Sequence, residues 1–327
     1  MNGPAVSCAG GLGKVEPMTI RGILFGAAWP LLAGLSVIGC GGHDFGGGEL
    51  DVPPAVAKPV GPYDKPGFVG KVLEGRLWVY REDSRELRSF EVMGPSDKHV
   101  TRVGAGPGGM TVKGPDAETI NEYLAAKDGF YTHVIDGRIW VFRDGSPEKD
   151  EFIQNGPSDK HVSRICAGPG RMTVKGPDTK TVLAYIIAKP GFSTHVVDGR
   201  IWVFRPGSDD LAAFLLRGPS DRHSTRVGAG PSGMTVKGPD SLTIKDYLAS
   251  APGFYTEVIE DRIWVFRLGT DELKEFKEMG PSDKHSSRIG GGPMRMTVKG
   301  PDMETINAYI RAAGVRPRPV MPPRDTQ

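Results

Sequence analysis

Cysteine is scarce. Three in 327 residues are too few for a disulfide framework, so a chain of this length must be held by packing. Net charge is nearly absent as well: 41 Lys and Arg against 39 Asp and Glu leave +2, and that balance gives no general electrostatic case for nucleic acid. Gly does not recur at every third position, which excludes collagen. The Gly-rich stretch from Gly104 to Gly109 has no Gly-Lys-Ser/Thr and leads into Met110-Thr111-Val112-Lys113, a strand where a phosphate cradle needs a helix N-terminus. It reads as a turn. Only one long apolar run exists, Ile23 to Gly39, and its glycines and Pro30 make it a poor bilayer span.

Gly (46) and Pro (28) are abundant, well above their usual combined share of roughly 12%. Five Trp, eight Tyr and thirteen Phe argue against wholesale disorder. The excess falls at fixed intervals. Trp78, Trp140, Trp202 and Trp264 are 62 residues apart, as are the Gly-Pro-Ser tripeptides beginning at Gly94, Gly156, Gly218 and Gly280. Such a period marks a repeat architecture. Four units follow without insertion: 66–127, 128–189, 190–251 and 252–313.

Within a unit the spacing predicts ββαββα. Phe130 to Ile135 and Arg138 to Arg143 flank Asp136-Gly137, the pattern of a hairpin whose two central residues take positive φ. Glu260-Asp261 fill that place in the fourth unit, so a looser turn is expected there. The second strand is apolar at consecutive positions, which implies cover on both faces. Asp271 to Phe276 reads as a short helix ended by Gly280-Pro281. Asp116 stands where an N-cap belongs, ahead of Ile120, Tyr123 and Leu124 at helical spacing. The expected fold class is therefore α+β, with four tandem ββαββα repeats packed as a curved row or as a closed pseudo-fourfold ring.

Arg21 precedes the run Ile23–Gly39, and Cys40 follows it directly. Charge, a short apolar core and small residues before a cut are marks of an export signal. Val37-Ile38-Gly39-Cys40 resembles the lipobox of bacterial lipoproteins. The resemblance implies a signal peptide over 1–39, begun at Met1 or Met18, and lipidation of Cys40. It further implies an extracytoplasmic protein held to the membrane, the outer one in a Gram-negative cell; an uncleaved N-terminal anchor is the alternative. With Cys8 removed and Cys40 thioether-linked, only Cys166 remains, and no intramolecular disulfide is expected. Cys166 shares a column with Gly104, Gly228 and Gly290 and reads as a small buried residue. Residues 40–65 read as a Gly/Pro-rich tether, and 314–327 as a disordered Pro/Arg tail.

The residues that invite chemistry recur with the repeat. Ser96-Asp97-Lys98-His99 and its three counterparts contain the residue types of a hydrolytic triad, but neighbours on one short loop do not converge as a triad must. No enzymatic activity is expected. Arg81, His99, Arg102 and Lys113 return as Arg143, His161, Arg164 and Lys175, then Arg205, His223, Arg226 and Lys237, then Arg267, His285, Arg288 and Lys299. Brought together, each set would be a patch for carboxylate, phosphate or an acidic glycan, with Asp97 and Asp116 near enough in sequence to neutralise it.

Copper or haem is the alternative. His99, His161, His223 and His285 each precede a methionine (Met110, Met172, Met234, Met296) by eleven residues, and His133 and His195 add imidazoles in the middle units, where Gly70 and Glu257 stand in the outer ones. The stretch from Gly137 through Trp140, Phe142 and Phe152 to Pro157 also resembles the hairpin and helix of YHS-type metal-associated modules, without their cysteines. The favoured reading has no cofactor: a lipid-anchored, multivalent binding or scaffold protein of the cell envelope, whose partner is a polymer or another envelope protein and not nucleic acid.

Overall fold

The computed structural model describes residues 61–314. The signal, the lipidation site, most of the tether and the Pro/Arg tail beyond Gly314 lie outside the described residues. Each unit has the same order of elements. The first contains β1 (Phe68–Leu73), β2 (Arg76–Arg81), α1 (Arg85–Met93), β3 (Val100–Arg102), a one-turn 3-10 helix (Pro107–Gly109), β4 (Thr111–Gly114) and α2 (Ala117–Ala125). The second has β5 (Phe130–Ile135), β6 (Arg138–Arg143), α3 (Pro147–Asn155), β7 (Val162–Arg164), β8 (Thr173–Gly176) and α4 (Thr179–Ile187). In the third are β9 (Ser193–Val197), β10 (Arg200–Phe204), α5 (Asp209–Arg217), β11 (Ser224–Arg226), β12 (Val236–Gly238) and α6 (Ser241–Ala249). The fourth comprises β13 (Phe254–Ile259), β14 (Arg262–Arg267), α7 (Asp271–Met279), β15 (Ser286–Arg288), β16 (Thr297–Gly300) and α8 (Met303–Ala312). The expected α+β repeat is what the chain forms.

Each unit is one four-stranded sheet, ordered β1-β2-β4-β3 in the first. β2 pairs antiparallel with β1 and parallel with β4. A helix covers each face, which explains the unbroken apolar run of β2. Leu77 and Val79 pack with Val112, Ile120 and Tyr123 towards α2, whereas Trp78 and Tyr80 pack with Leu87 and Phe90 towards α1. The helices start where side chains cap them: Ser84 accepts from the Leu87 amide, and Asp116 from Thr119 N at 2.6 Å. Gly114 ends β4 where α2 crosses closely; a Cβ there would lie 2.9 Å from Ile120 Cγ1, so only glycine admits that approach.

The fourth hairpin departs from expectation. Glu260 and Asp261 both take positive φ, 49° and 59°, and Ile259 faces Arg262 across the turn just as Ile135 faces Arg138. The turn is as tight as the others because the flanking register demands it, and the two side chains bear the strain. Replacing Glu260-Asp261 by Asn-Gly is therefore expected to stabilise the protein by about 1–2 kcal/mol. The Lys245–Asp261 surface ion pair lost with it offsets little of that gain, because the Asp261 carboxylate is solvated. Urea denaturation of the double variant measures the gain.

Three further expectations change. Residues 61–65 belong to the folded body: Tyr63 is buried and Lys65 pairs with Phe68 in an isolated bridge. Cys166 is half-buried and takes φ +55°. Its column is set by left-handed backbone, since Gly104, Gly228 and Gly290 share that conformation, and not by lack of room. Cys166 is also disulfide-bonded, against the expectation of no bridge; the other two cysteines, Cys8 and Cys40, lie outside the described residues.

Successive units meet through the second helix of each. Tyr185 donates to the Ala125 carbonyl at 2.8 Å, and Tyr247 and Tyr309 repeat the bond to Ile187 and Ala249. Tyr123 makes it to Tyr63, so residues 61–65 substitute for a preceding unit. The first and fourth units also touch, by a different set of bonds. Gly108 N donates to Pro252 O at 3.0 Å, Arg267 Nη1 to Gly108 O at 2.8 Å, and Tyr63 OH to Leu268 O at 2.7 Å. The ends of the array are therefore joined, but without the equivalence of a strict fourfold ring. Among the described residues no helix is long and apolar enough to cross a membrane.

Candidate functional site

Strand register decides which polar side chains meet. Trp78 lies opposite Lys113 on one side and Lys71 on the other, and paired residues share a face. That face looks towards α1. The loop after Gly94-Pro95 brings His99 to the same place. Within the loop Ser96 Oγ accepts from Lys98 N at 3.1 Å, and the Ser96 carbonyl meets His99 Nδ1 at 2.9 Å. A carbonyl can only accept, so Nδ1 carries the proton and Nε2 is the acceptor of the neutral ring. The imidazole sits edge-on to Trp78 with centroids 4.9 Å apart, and Lys113 Nζ lies 4.8 Å from the indole centre.

The other units reproduce this arrangement. The Trp–His distance is 5.0 Å in each of them, and the Lys–Trp distances are 4.9, 5.1 and 4.9 Å. Beside it in the first unit is an open cleft of about 220 Å³ lined by Trp78, Tyr80, Phe90, Ser96, His99 and Pro115 among others. Trp78 is 5% exposed; it is a core residue that forms the cleft floor. The loop serine turns its hydroxyl to its own backbone, so the Ser-Asp-Lys-His run is a structural turn and brings no nucleophile to the imidazole. One column of the repeat additionally keeps a branched aliphatic side chain almost fully in solvent in every unit: Val103, Ile165, Val227 and Ile289 are 78 to 90% exposed.

The four-residue cationic patch does not assemble as the sequence suggested. His99 and Lys113 meet, but Arg81 and Arg102 alternate to the opposite face of the sheet, towards α2. Arg81 pairs there with Glu118 at 3.0 Å and Glu122 at 2.7 Å. Arg205 pairs with Asp246 at 2.5 Å, and Arg267 with Glu304 at 3.4 Å. Arg226 reaches Ser241, and Arg288 reaches Asn307 at 2.6 Å. Helix carboxylates neutralise much of this column. Asp116, expected to do so, caps α2 and adds a smaller coulombic stabilisation of the Arg81 cation, after Glu118 and Glu122.

The histidine–methionine pairs do not converge either. Met110, Met172, Met234 and Met296 pack into the clusters beneath the second helix of each unit, across the sheet from His99 and its counterparts. Register also makes Lys71, not Gly70, the counterpart of His133. His133 Nδ1 meets Glu122 Oε1 at 2.7 Å, and His195 Nε2 meets Ser193 Oγ at 3.0 Å. Burial, with Arg143 nearby, holds the His195 imidazole below its ordinary pKa. Among the described residues no group of three or more His, Cys, Asp and Glu is arranged for a metal. The chain matches no protein-family model, no curated protein and no solved structure.

What sequence reading missed is the junction between units. Lys127 Nζ donates to Tyr185 O at 2.7 Å and Ala188 O at 3.1 Å and lies 4.5 Å from the Tyr185 ring centre. Lys65 and Lys189 do the same for α2 and α6. The signal was a column of Lys65, Lys127, Lys189 and Ala251 just after a helix, where lysine is unremarkable.

Proposed function

We propose that this protein is a lipid-anchored, extracytoplasmic binding protein of the cell envelope. Its four tryptophan–histidine–lysine sets take a repetitive acidic partner, and it has no catalytic activity. The observation that carries the reading is the fourfold recurrence of one tryptophan–histidine–lysine arrangement on a single folded body. A half-exposed imidazole with its acceptor nitrogen fixed, beside a lysine, suits a carboxylate or phosphate group when the ring is protonated. One such contact is weak. Four on one body gain affinity only for a ligand that reaches more than one of them.

The anchor is supported by Val37-Ile38-Gly39-Cys40, and the disulfide-bonded Cys166 then belongs to the chain before its signal is cut and Cys40 is lipidated. Protein isolated from its native membrane is expected to begin at Cys40 and to have the mass of a lipidated chain. An unlipidated chain bridged through Cys8 or Cys40 overturns the anchor.

The binding reading is tested with galacturonate and oligogalacturonates of increasing length as probes, by calorimetry on the full chain. Oligomers long enough to span two of these sets are expected to bind on the order of a hundredfold more tightly than the monomer. Replacing His99, His161, His223 and His285 together by Gln should remove that gain while leaving the far-ultraviolet dichroism unchanged. Affinity that does not depend on length, or that survives the fourfold substitution, overturns it.

A further inference from the structure

The three junctions between successive units are alike in shape and unlike in charge. At the first, Arg81 is held by Glu118 and Glu122 of α2, and Glu122 also accepts from His133 of the next unit. At the third, Arg205 is held by Asp246 of α6, which also accepts from Val258 N at 3.2 Å. The second junction keeps the cation and the imidazole, Arg143 and His195, but both carboxylates are gone. Lys180 stands in the column of Glu118, and Ala184 in that of Glu122 and Asp246.

Among the described residues Arg143 has no carboxylate partner; its guanidinium rests on the Phe130 ring, 5.4 Å from the centroid. His195 uses Nε2 towards Ser193. That leaves Nδ1, the atom through which His133 meets its carboxylate. Ala184 is buried where a longer side chain fits in the neighbouring units. Arg143, Lys180 and His195 thus occupy columns of the repeat whose members at the first junction, Arg81, Glu118 and His133, surround an internal anion.

We propose that the junction between the second and third units binds one phosphate-class oxyanion, held by Arg143, Lys180 and His195 in the place of the missing carboxylates. The site is single: it runs from the α4 side of the second sheet, where Arg143 and Lys180 stand, to the tryptophan face of the third, where His195 lies opposite Trp202 and 5.1 Å from the Phe214 ring, and it does not depend on the function assigned to the tryptophan–histidine–lysine sets. Three donors with no counter-charge favour a dianion over a lone carboxylate.

The test uses the full chain with selectively labelled histidine and inorganic phosphate as the probe, at constant ionic strength set with chloride. Phosphate is expected to move the His195 resonances in a saturable way and to leave those of His133 in place. Ala184→Glu supplies the carboxylate that Glu122 provides next door and should abolish the response. Should that variant not fold, Arg143→Gln, at an exposed position, should weaken binding at least about tenfold. A parallel titration with dimethyl phosphate separates the sources: saturation by inorganic phosphate alone indicates a free anion, and saturation by the diester indicates a phosphodiester polymer. No saturable response to either, an equal response at His133, or undiminished binding in both variants overturns the proposal.

Discussion

Lys127→Met is expected to cost about 3 kcal/mol at neutral pH, because it leaves the carbonyls of Tyr185 and Ala188 without their donor in a buried junction. The fourth unit shows why the lysine is needed. There the column holds Ala251, and α8 runs one residue longer than its counterparts, so that Ala313 N donates to Tyr309 O at 2.8 Å. Where the helix stops at its ninth residue, the same carbonyl must be met from outside, and lysine meets it. The ammonium is not comfortable in this place. Burial, then repulsion from Lys65 and Lys189, pushes Lys127 down to about 7, and burial pushes Lys65 and Lys189 down to about 8. The negative end of α4 and the Tyr185 face oppose that shift without cancelling it.

A folded-state pKa below the unfolded 10.5 means that the unfolded chain binds more protons between the two values. Stability then rises with pH across that window and is lost as pH falls through 7 to 8. Above 10 the tyrosines act in the opposite sense. Burial raises Tyr123, Tyr185, Tyr247 and Tyr309 above their ordinary 10.0, so the unfolded chain ionises first and stability falls. Urea denaturation of the wild type should therefore strengthen from pH 7 to 10 and weaken beyond. The gap to Lys127→Met should widen over the same rise. A gap that narrows with pH would show that the lysine is held as a comfortable ammonium.

The elements were legible because their signals are local. Consecutive apolar residues in β2 gave its two-sided burial, and Asp116 ahead of Ile120 and Tyr123 gave a capped helix. Site composition was not local. Trp78 and Lys113 are brought side by side by the parallel pairing of β2 with β4, a crossover that no short window encodes. Once that register is known, strand alternation alone sends Arg81 and Arg102 to the far face and parts Met110 from His99. The junction lysines escaped for a different reason: their role appears only when Lys127 is set against α4, 58 residues further on. Glu260-Asp261 misled because propensity called for a slack turn and the flanking ladder imposed a tight one.

Gly253→Ala should be the most damaging of the glycine substitutions in its column. Gly67, Gly129, Gly191 and Gly253 all take φ between 77° and 83°, so alanine at any of them carries a backbone penalty of about 1–2 kcal/mol. Gly129 has nothing within 4 Å of the place a Cβ would occupy, and Gly129→Ala should cost only that. At Gly253 the same Cβ would fall onto Pro107 and Gly108, 2.6 Å from Pro107 Cβ. Backbone on both sides leaves nothing flexible to yield, so the fourth unit must separate from the first or the chain must bend. Either outcome strains the bonds from Gly108 to Pro252 and Arg267 and from Tyr63 to Leu268. The total loss should then reach about 3 kcal/mol or more. Hydrogen exchange gives the direct reading: the Gly108 amide, protected by the Pro252 carbonyl in the wild type and in Gly129→Ala, should exchange freely in Gly253→Ala, while the Tyr185 and Tyr247 junctions keep their protection. Equal destabilisation by the two alanines, with Gly108 still protected, would mean that the contact between first and last units contributes nothing to holding the array together.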